Sequence, residues 1–184
     1  MGLSEDLARI AEVARPYAAP GEALAAIIPV EPAGGVRIYL CAYGDGDGRR
    51  SWLALGGEGR PVRDRRLVRE AVSIAAMCEL AEESAGGGSL EELRARLAEL
   101  RAAEAPEGIE EAEEAARALE EALGVPPRVA SPAYLDRIGA AARELERALG
   151  DIGRSPFSEA MARAVGPIDE LKLEVEAGYK TALD

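Results

Sequence analysis

The segment "DRRLVREAVSIAAMCELAEES", residues 64–84, decides the predicted fold. Asp64 is a favourable N-cap for a helix, and from Leu67 to Ala81 apolar side chains lie on nearly every face of that helix. A helix that is apolar on nearly all sides has to be buried by other parts of the chain. We therefore predict that this helix forms the centre of the protein.

A small antiparallel β-hairpin is predicted on the N-terminal side of the central helix. The segment "VRIYLCAY", residues 36–43, is rich in β-branched and aromatic residues, and "SWLAL", residues 51–55, supplies a second strand. A two-stranded hairpin is only marginally stable alone, so we expect it to pack on the central helix. Before it, we predict a helix that Ser4 caps and Pro16 ends, then a short helix over residues 22–28.

The chain after the glycine-rich segment "AGGGS" is predicted to be helical throughout. Its apolar stripes are narrow and flanked by charge, which is typical of antiparallel bundles. One stripe consists of Leu90, Leu93, Leu97 and Leu100. The predicted fold is mainly α (α+β), a helical bundle with a small N-terminal β-hairpin packed on a central buried helix. Residues 1–85 hold the first helix, hairpin and central helix, residues 89–184 hold the bundle, and we expect one compact unit.

The composition excludes several kinds of chemistry. The 184 residues carry a net charge of −12 and include no histidine, asparagine or glutamine. Without histidine, the chain cannot build a Ser–His or Cys–His nucleophile or bind zinc through imidazole. Cys41 and Cys78 lack the spacing of a redox or metal motif, so we predict two buried reduced thiols, with a single disulfide as the alternative.

The composition also bears on location and source. The N-terminus lacks the apolar core of a signal peptide, and the apolar runs are too short to span a bilayer. We expect a cytoplasmic, acidic protein with no membrane partner. Arginine supplies nearly all the positive charge, and lysine occurs only at positions 172 and 180. This bias fits a thermophilic source or a GC-rich genome.

The arginine-rich turn, residues 59–70, is the main anomaly of charge. Its arginines are Arg60, Arg63, Arg65, Arg66 and Arg69. A cation at a helix N-terminus costs about 0.3–1 kcal/mol, so negative groups are expected to compensate it. Acidic helices of the same or a neighbouring subunit are the favoured explanation, and a bound small anion is the alternative. Nucleic acid is not an expected partner, because the overall charge repels phosphate.

Paired glutamates on the predicted helices are the candidate metal ligands. Glu79 and Glu82 form one E-x-x-E motif, and Glu110 and Glu113 form another. Acids at positions i and i+3 share a helical face and can hold Mg²⁺ through oxygen. Glutamate-rich helices are more often solvated faces, so Mg²⁺ enters only in an alternative interpretation.

No catalytic residue is predicted, and no motif identifies a function. The favoured hypothesis is a non-catalytic homo-oligomeric assembly or regulatory module that associates through helix seams or the hairpin edge. In that case, raising the salt concentration or combining Arg65→Glu with Arg66→Glu should weaken the oligomer. The alternatives are a Mg²⁺-dependent helical hydrolase of a phosphate-containing metabolite, and binding of a small anionic ligand at the arginine-rich turn.

Overall fold

A computed structural model describes residues 2–86, 94–95, 97–99, 101–102, 108–149 and 165–180. The chain divides into two compact units. The first unit comprises Met1–Ala76, Pro126–Pro132 and Gly166–Asp184. The second comprises Met77–Val125 and Ala133–Val165. Two segments from the C-terminal half of the chain therefore belong to the unit that contains the sheet.

The described residues are mainly helical, with one small sheet near the N-terminus. The elements in chain order are α1 (Leu3–Ala14), a 3-10 turn (Arg15–Tyr17), β1 (Ala23–Val30), β2 (Ile38–Gly44), β3 (Arg50–Gly56), α2 (Arg65–Gly86), α3 (Ile109–Leu123), α4 (Pro132–Leu149) and α5 (Val165–Gly178). The structure confirms the predicted fold class, mainly α with a small antiparallel sheet that packs with helices.

The sheet has three strands in the order β1-β2-β3, and both pairings are antiparallel. The predicted helix over residues 22–28 is wrong, because Ala23–Val30 is strand β1. Ile28 pairs with Leu40 of β2, and Val30 pairs with Ile38. A helix of seven residues gains little by itself, whereas β-branched side chains here gain a paired and partly buried strand. Pro29 is compatible with this strand because β1 is at the edge of the sheet.

Helix α1 begins earlier than the sequence predicted. The N-cap is Gly2 rather than Ser4, and the Gly2 amide donates to the Glu5 carboxylate at 3.1 Å. A glutamate at the third helical position can satisfy this amide, so no hydroxyl cap is needed. The helix ends at Ala14, and Pro16 follows within the 3-10 turn, as predicted.

Both faces of the central strand β2 are buried. On one face Ile10 and Ala14 of α1 join a core cluster with the sheet residues Tyr39, Cys41, Tyr43, Leu53 and Leu55. The buried Tyr43 hydroxyl donates to the Ala14 carbonyl at 2.8 Å, which satisfies an acceptor at the end of α1. On the other face Ile38, Leu40 and Ala42 are buried as well.

Helix α2 is the central buried helix that the sequence predicted. The Asp64 carboxylate accepts from the amides of Arg66 at 2.9 Å and Leu67 at 3.4 Å, which confirms Asp64 as the N-cap. The buried residues of α2 are Val68, Ala71, Val72, Ile74, Ala75, Cys78, Ala81 and Ala85. None of the helices in the described ranges is long and apolar enough to cross a bilayer.

The second unit contains α3 and nearly all of α4, and each of these helices buries an apolar stripe. The buried residues are Ile109, Ala112, Ala115, Ala116, Leu119 and Leu123 in α3, and Tyr134, Ile138, Gly139, Ala142, Leu145 and Leu149 in α4. The Tyr134 hydroxyl donates to the Leu123 carbonyl at 3.1 Å. In the predicted leucine stripe Leu97 is buried, while Leu90, Leu93 and Leu100 lie outside the described residues.

Candidate functional site

The arginine-rich turn leads into the N-terminus of α2. Arg60 and Arg63 precede the helix, while Arg65, Arg66 and Arg69 lie in its first two turns. All five arginines are exposed.

Carboxylates compensate these arginines only in part. The Arg69 guanidinium forms an ion pair and a hydrogen bond with Glu176 of α5. Arg60 lies 4.0 Å from Glu58, and both side chains are almost fully exposed, so this pair contributes little. Arg63, Arg65 and Arg66 have no carboxylate within 4.0 Å in the part of the chain that the structure describes.

A cavity of about 260 Å³ lies in the first unit, between the start of α2 and α5. Its lining residues are Arg65, Val68, Arg69, Val72, Lys172, Val175, Glu176 and Tyr179. The three valines are buried and form an apolar floor. The charged members comprise three cations and one carboxylate, so the lining carries a net charge of +2 in a chain whose net charge is −12.

The four predicted metal ligands are not brought together as a cluster within the described part of the chain. The Glu113 carboxylate accepts two hydrogen bonds from the Arg101 guanidinium, at 3.0 and 3.1 Å. Glu79 and Glu110 are exposed, and Glu82 is half-buried. Within the described ranges no group of three or more acidic or cysteine side chains could hold a metal ion.

The outer edge of β3 is closed by other segments of the first unit. The Ala54 carbonyl accepts from the Val62 amide at 2.8 Å, and the Trp52 carbonyl accepts from the Lys180 amide at 2.8 Å. The Tyr179 hydroxyl donates to the Val62 carbonyl at 2.9 Å and accepts from the Ala54 amide at 3.3 Å. The backbone of β3 consequently has little capacity left to pair with another strand.

Among the described residues, the outer edge of β1 is closed at its C-terminal end. There the Ala130 amide donates to the Pro29 carbonyl at 2.9 Å, and the Glu31 amide donates to the Ala130 carbonyl at 2.8 Å. Over residues 23–28, no backbone group of another described segment pairs with the outer side of the strand. We refer to residues 23–28 as the open β1 edge.

The open β1 edge is apolar and carries no charge. Its residues are Ala23, Leu24, Ala25, Ala26, Ile27 and Ile28, of which the three alanines are exposed and the others half-buried. Charged residues and twisted or covered edges normally prevent such strands from pairing with other chains. Sequence reasoning missed this site because it assigned the segment to a helix. The signal that could have revealed it is the β-branched and proline content of residues 27–30.

The carboxylate of Glu22, immediately before β1, is held by three donors. These donors are the Lys180 ammonium group, the Ala19 amide and the Ser51 hydroxyl, the last two at 2.8 Å. Together they lower the pKa of Glu22 from 4.5 to about 2, with the Lys180 hydrogen bond as the largest cause. The Lys180 ammonium group also lies 4.8 Å from the centre of the Tyr43 ring. The C-terminal end of the described chain is thus bound to the start of the sheet.

The Glu22 interaction predicts a specific loss of stability in acid. Because the folded-state pKa is lowered, its contribution is fully present above about pH 4.5 and is lost as the pH falls towards 2. Between pH 4.5 and pH 2, the free energy of unfolding should fall in both proteins. We expect the fall to be about 1–2 kcal/mol smaller for Glu22→Gln than for the wild type, after allowance for solvent screening. Urea denaturation at several pH values measures this difference. The control is Glu12→Gln on the exposed face of α1, which should keep the wild-type pH dependence.

The cysteines do not provide a reactive site. Cys41 and Cys78, both among the described residues, are buried thiols that are not joined by a disulfide. This confirms the prediction of reduced thiols. Burial raises the pKa of Cys41 to about 12, so its thiol stays protonated at neutral pH and is a poor nucleophile.

Comparison with protein-family models, curated proteins and solved structures found no match to this chain. Its function therefore has to be inferred from the geometry and chemistry of the sites described above. The open β1 edge and the cavity between α2 and α5 are the two features that carry such an inference.

Proposed function

We propose that this protein is a non-catalytic assembly or regulatory module, and that two copies associate by pairing their open β1 edges. The observation that carries the proposal is the uncharged, apolar outer side of residues 23–28, with which no other described segment pairs. A second copy would add its β1 antiparallel to the first and turn two three-stranded sheets into one continuous sheet of six strands.

A second copy of the same chain is the occupant that this edge fits best. A strand paired antiparallel with its own copy satisfies both edges at once, and it closes the assembly at a dimer. Two chains of net charge −12 repel each other over most of their surfaces, but residues 23–28 carry no charge. The flanking acids are compensated within the chain, since Glu22 pairs with Lys180 and Glu31 pairs with Arg37 at 3.3 Å.

A cytoplasmic location and a thermophilic source are part of the same proposal. Buried thiols at Cys41 and Cys78 suit a reducing compartment. Arg37 lies 3.3 Å from Glu31 and 3.8 Å from Asp6, a small arginine-centred network of the kind that contributes most at high temperature.

Sedimentation velocity tests the proposed dimer. We expect the wild-type chain to form a concentration-dependent dimer, and Ala25→Lys combined with Ala26→Lys to be monomeric. Both alanines are exposed, and two lysines on each strand would bring four positive charges together at the paired edge. The control is Ala8→Lys combined with Ala33→Lys, which adds the same charge at exposed positions elsewhere in the first unit and should leave the dimer intact.

The effects of salt and of arginine substitutions on the dimer distinguish pairing of β1 edges from an interface between arginines and acidic helices. Pairing of backbones and apolar side chains should vary little with salt, whereas an interface between arginines and acidic helices should weaken as salt rises. A wild-type chain that is monomeric at all accessible concentrations contradicts the proposal. So does a dimer that Arg65→Glu with Arg66→Glu dissociates while the two β1 lysines do not.

A further inference from the structure

The cavity between the start of α2 and α5 has an apolar interior. Val68 and Val72 of α2 and Val175 of α5 line it, and all three are buried residues. Successive positions four apart on α2 share one face of the helix, which places Val68 and Val72 side by side. A cavity of about 260 Å³ is slightly smaller than the range of about 300–1,000 Å³ that is typical of pockets for drug-sized molecules. A cavity of this size and lining would suit a small molecule with an apolar body.

The charged groups of the cavity leave one cation uncompensated. Arg69 is paired with Glu176, and Lys172 lies 3.3 Å from Asp169, one turn earlier on α5. Arg65 has no carboxylate within 4.0 Å among the residues that the structure describes. Its guanidinium is therefore available for a forked pair of hydrogen bonds to an anion.

The N-terminus of α2 does not supply the contact for an anion, because it is already capped. The Asp64 carboxylate already accepts from the Arg66 and Leu67 amides. An anion in the cavity would consequently depend on the side chains of Arg65 and Lys172 rather than on exposed backbone amides.

We propose that this cavity binds a small aliphatic carboxylate, with its carboxylate group at Arg65 and Lys172 and its hydrocarbon chain on the three valines. The valine floor disfavours a fully hydrated ion such as inorganic phosphate, because such an ion would lose water without gaining polar partners there. The cationic rim disfavours a neutral hydrocarbon. A short aliphatic chain that ends in a carboxylate satisfies both parts of the lining. This ligand goes beyond the proposed dimerisation and does not depend on it.

Calorimetric titration of the full chain at low ionic strength tests the proposal with hexanoate as the probe. We expect hexanoate to bind, acetate to bind at least about a hundredfold more weakly because it lacks the apolar chain, and hexanol and inorganic phosphate to bind weakly or not at all. Arg65→Ala should weaken hexanoate binding by about tenfold or more, since it removes the forked contact.

Arg66→Ala is the matched control. It removes the same charge one residue further along α2, but Arg66 does not line the cavity. We expect it to leave hexanoate affinity within about twofold of the wild type, because only the screened long-range attraction changes. Neither variant alters a buried side chain, so both should fold.

Three results would overturn the proposal. The first is the absence of hexanoate binding to the wild-type chain. The second is an equal loss of affinity in Arg65→Ala and Arg66→Ala, which would indicate diffuse attraction to the arginine-rich turn. The third is tight binding of phosphate that depends on Arg65, which would assign the site to a different class of anion.

Discussion

Gly178→Ala is expected to lower the free energy of unfolding by about 2–3 kcal/mol. Gly178 is the last residue of α5, and a Cβ atom there would lie 2.7 Å from the Arg50 carbonyl oxygen and 3.5 Å from Cα of Ser51. Because the obstructing atoms belong to the backbone of β3, they cannot rotate away. The end of α5 would have to withdraw from β3.

Withdrawal would break several contacts together. The Lys180 amide would lose the Trp52 carbonyl, and the Tyr179 hydroxyl would lose the Ala54 amide and the Val62 carbonyl. In an unobstructed helix, replacing glycine by alanine stabilises by up to about 1 kcal/mol, so the sign of the effect distinguishes the two situations. A lower midpoint of urea denaturation with an unchanged slope is the expected result.

Gly44→Ala is the matched control for this substitution. Gly44 ends strand β2, and a Cβ atom added there would meet nothing within 4 Å. We expect its unfolding free energy to stay within about 0.5 kcal/mol of the wild type. If Gly178→Ala behaves like Gly44→Ala, the close approach of α5 to β3 is contradicted.

Tyr43→Ala is expected to cost about 3–5 kcal/mol of unfolding free energy. Tyr43 is fully buried in the core cluster between α1 and the sheet. Its hydroxyl donates to the Ala14 carbonyl, and its ring forms a cation–π contact with the Lys180 ammonium group. The substitution would leave a cavity, a buried carbonyl without its donor and a cation without its aromatic neighbour.

Tyr43→Phe separates the hydroxyl from the ring. It keeps the packing and removes only the hydrogen bond to Ala14, so we expect a loss of about 1–3 kcal/mol. Tyr17→Ala is the control, because Tyr17 is only half-buried at the margin of the same cluster and should cost less than Tyr43→Ala. Thermal and urea denaturation measure all three variants. Equal losses for Tyr43→Ala and Tyr17→Ala would mean that Tyr43 is not central to this core.

Local signals predicted most of the helices and two of the strands. The apolar run of residues 64–84, with Asp64 before it, specified α2 and its cap, because a capping carboxylate and a buried face are properties of neighbouring residues. The same holds for β2, where β-branched and aromatic residues are concentrated. The segment that became β1 was mispredicted, because its alanines favour a helix in isolation and only pairing with β2 favours a strand.

The candidate sites depended more heavily on distant parts of the chain. The sequence identified the arginine-rich turn, but not that Arg65 and Arg69 line a cavity whereas Arg60, Arg63 and Arg66 do not. The other side of the lining comes from α5 and the residue after it, far along the chain, and no periodicity relates two segments so far apart. The E-x-x-E motifs illustrate the limit of local spacing. Two glutamates three positions apart share a helical face, but a metal site needs further ligands from other segments, and no group of three or more is found among the described residues.

Composition and neighbouring residues account for the helical character, the excess of negative charge, the concentration of arginines near the start of α2 and the absence of histidine chemistry. Which edge of the sheet stays open among the described residues depends instead on segments that are distant in the chain. Val62, Tyr179 and Lys180 close β3, and Ala130 closes the end of β1. Backbone groups are the same in every residue except proline, so their pairing depends on where the chain returns in space.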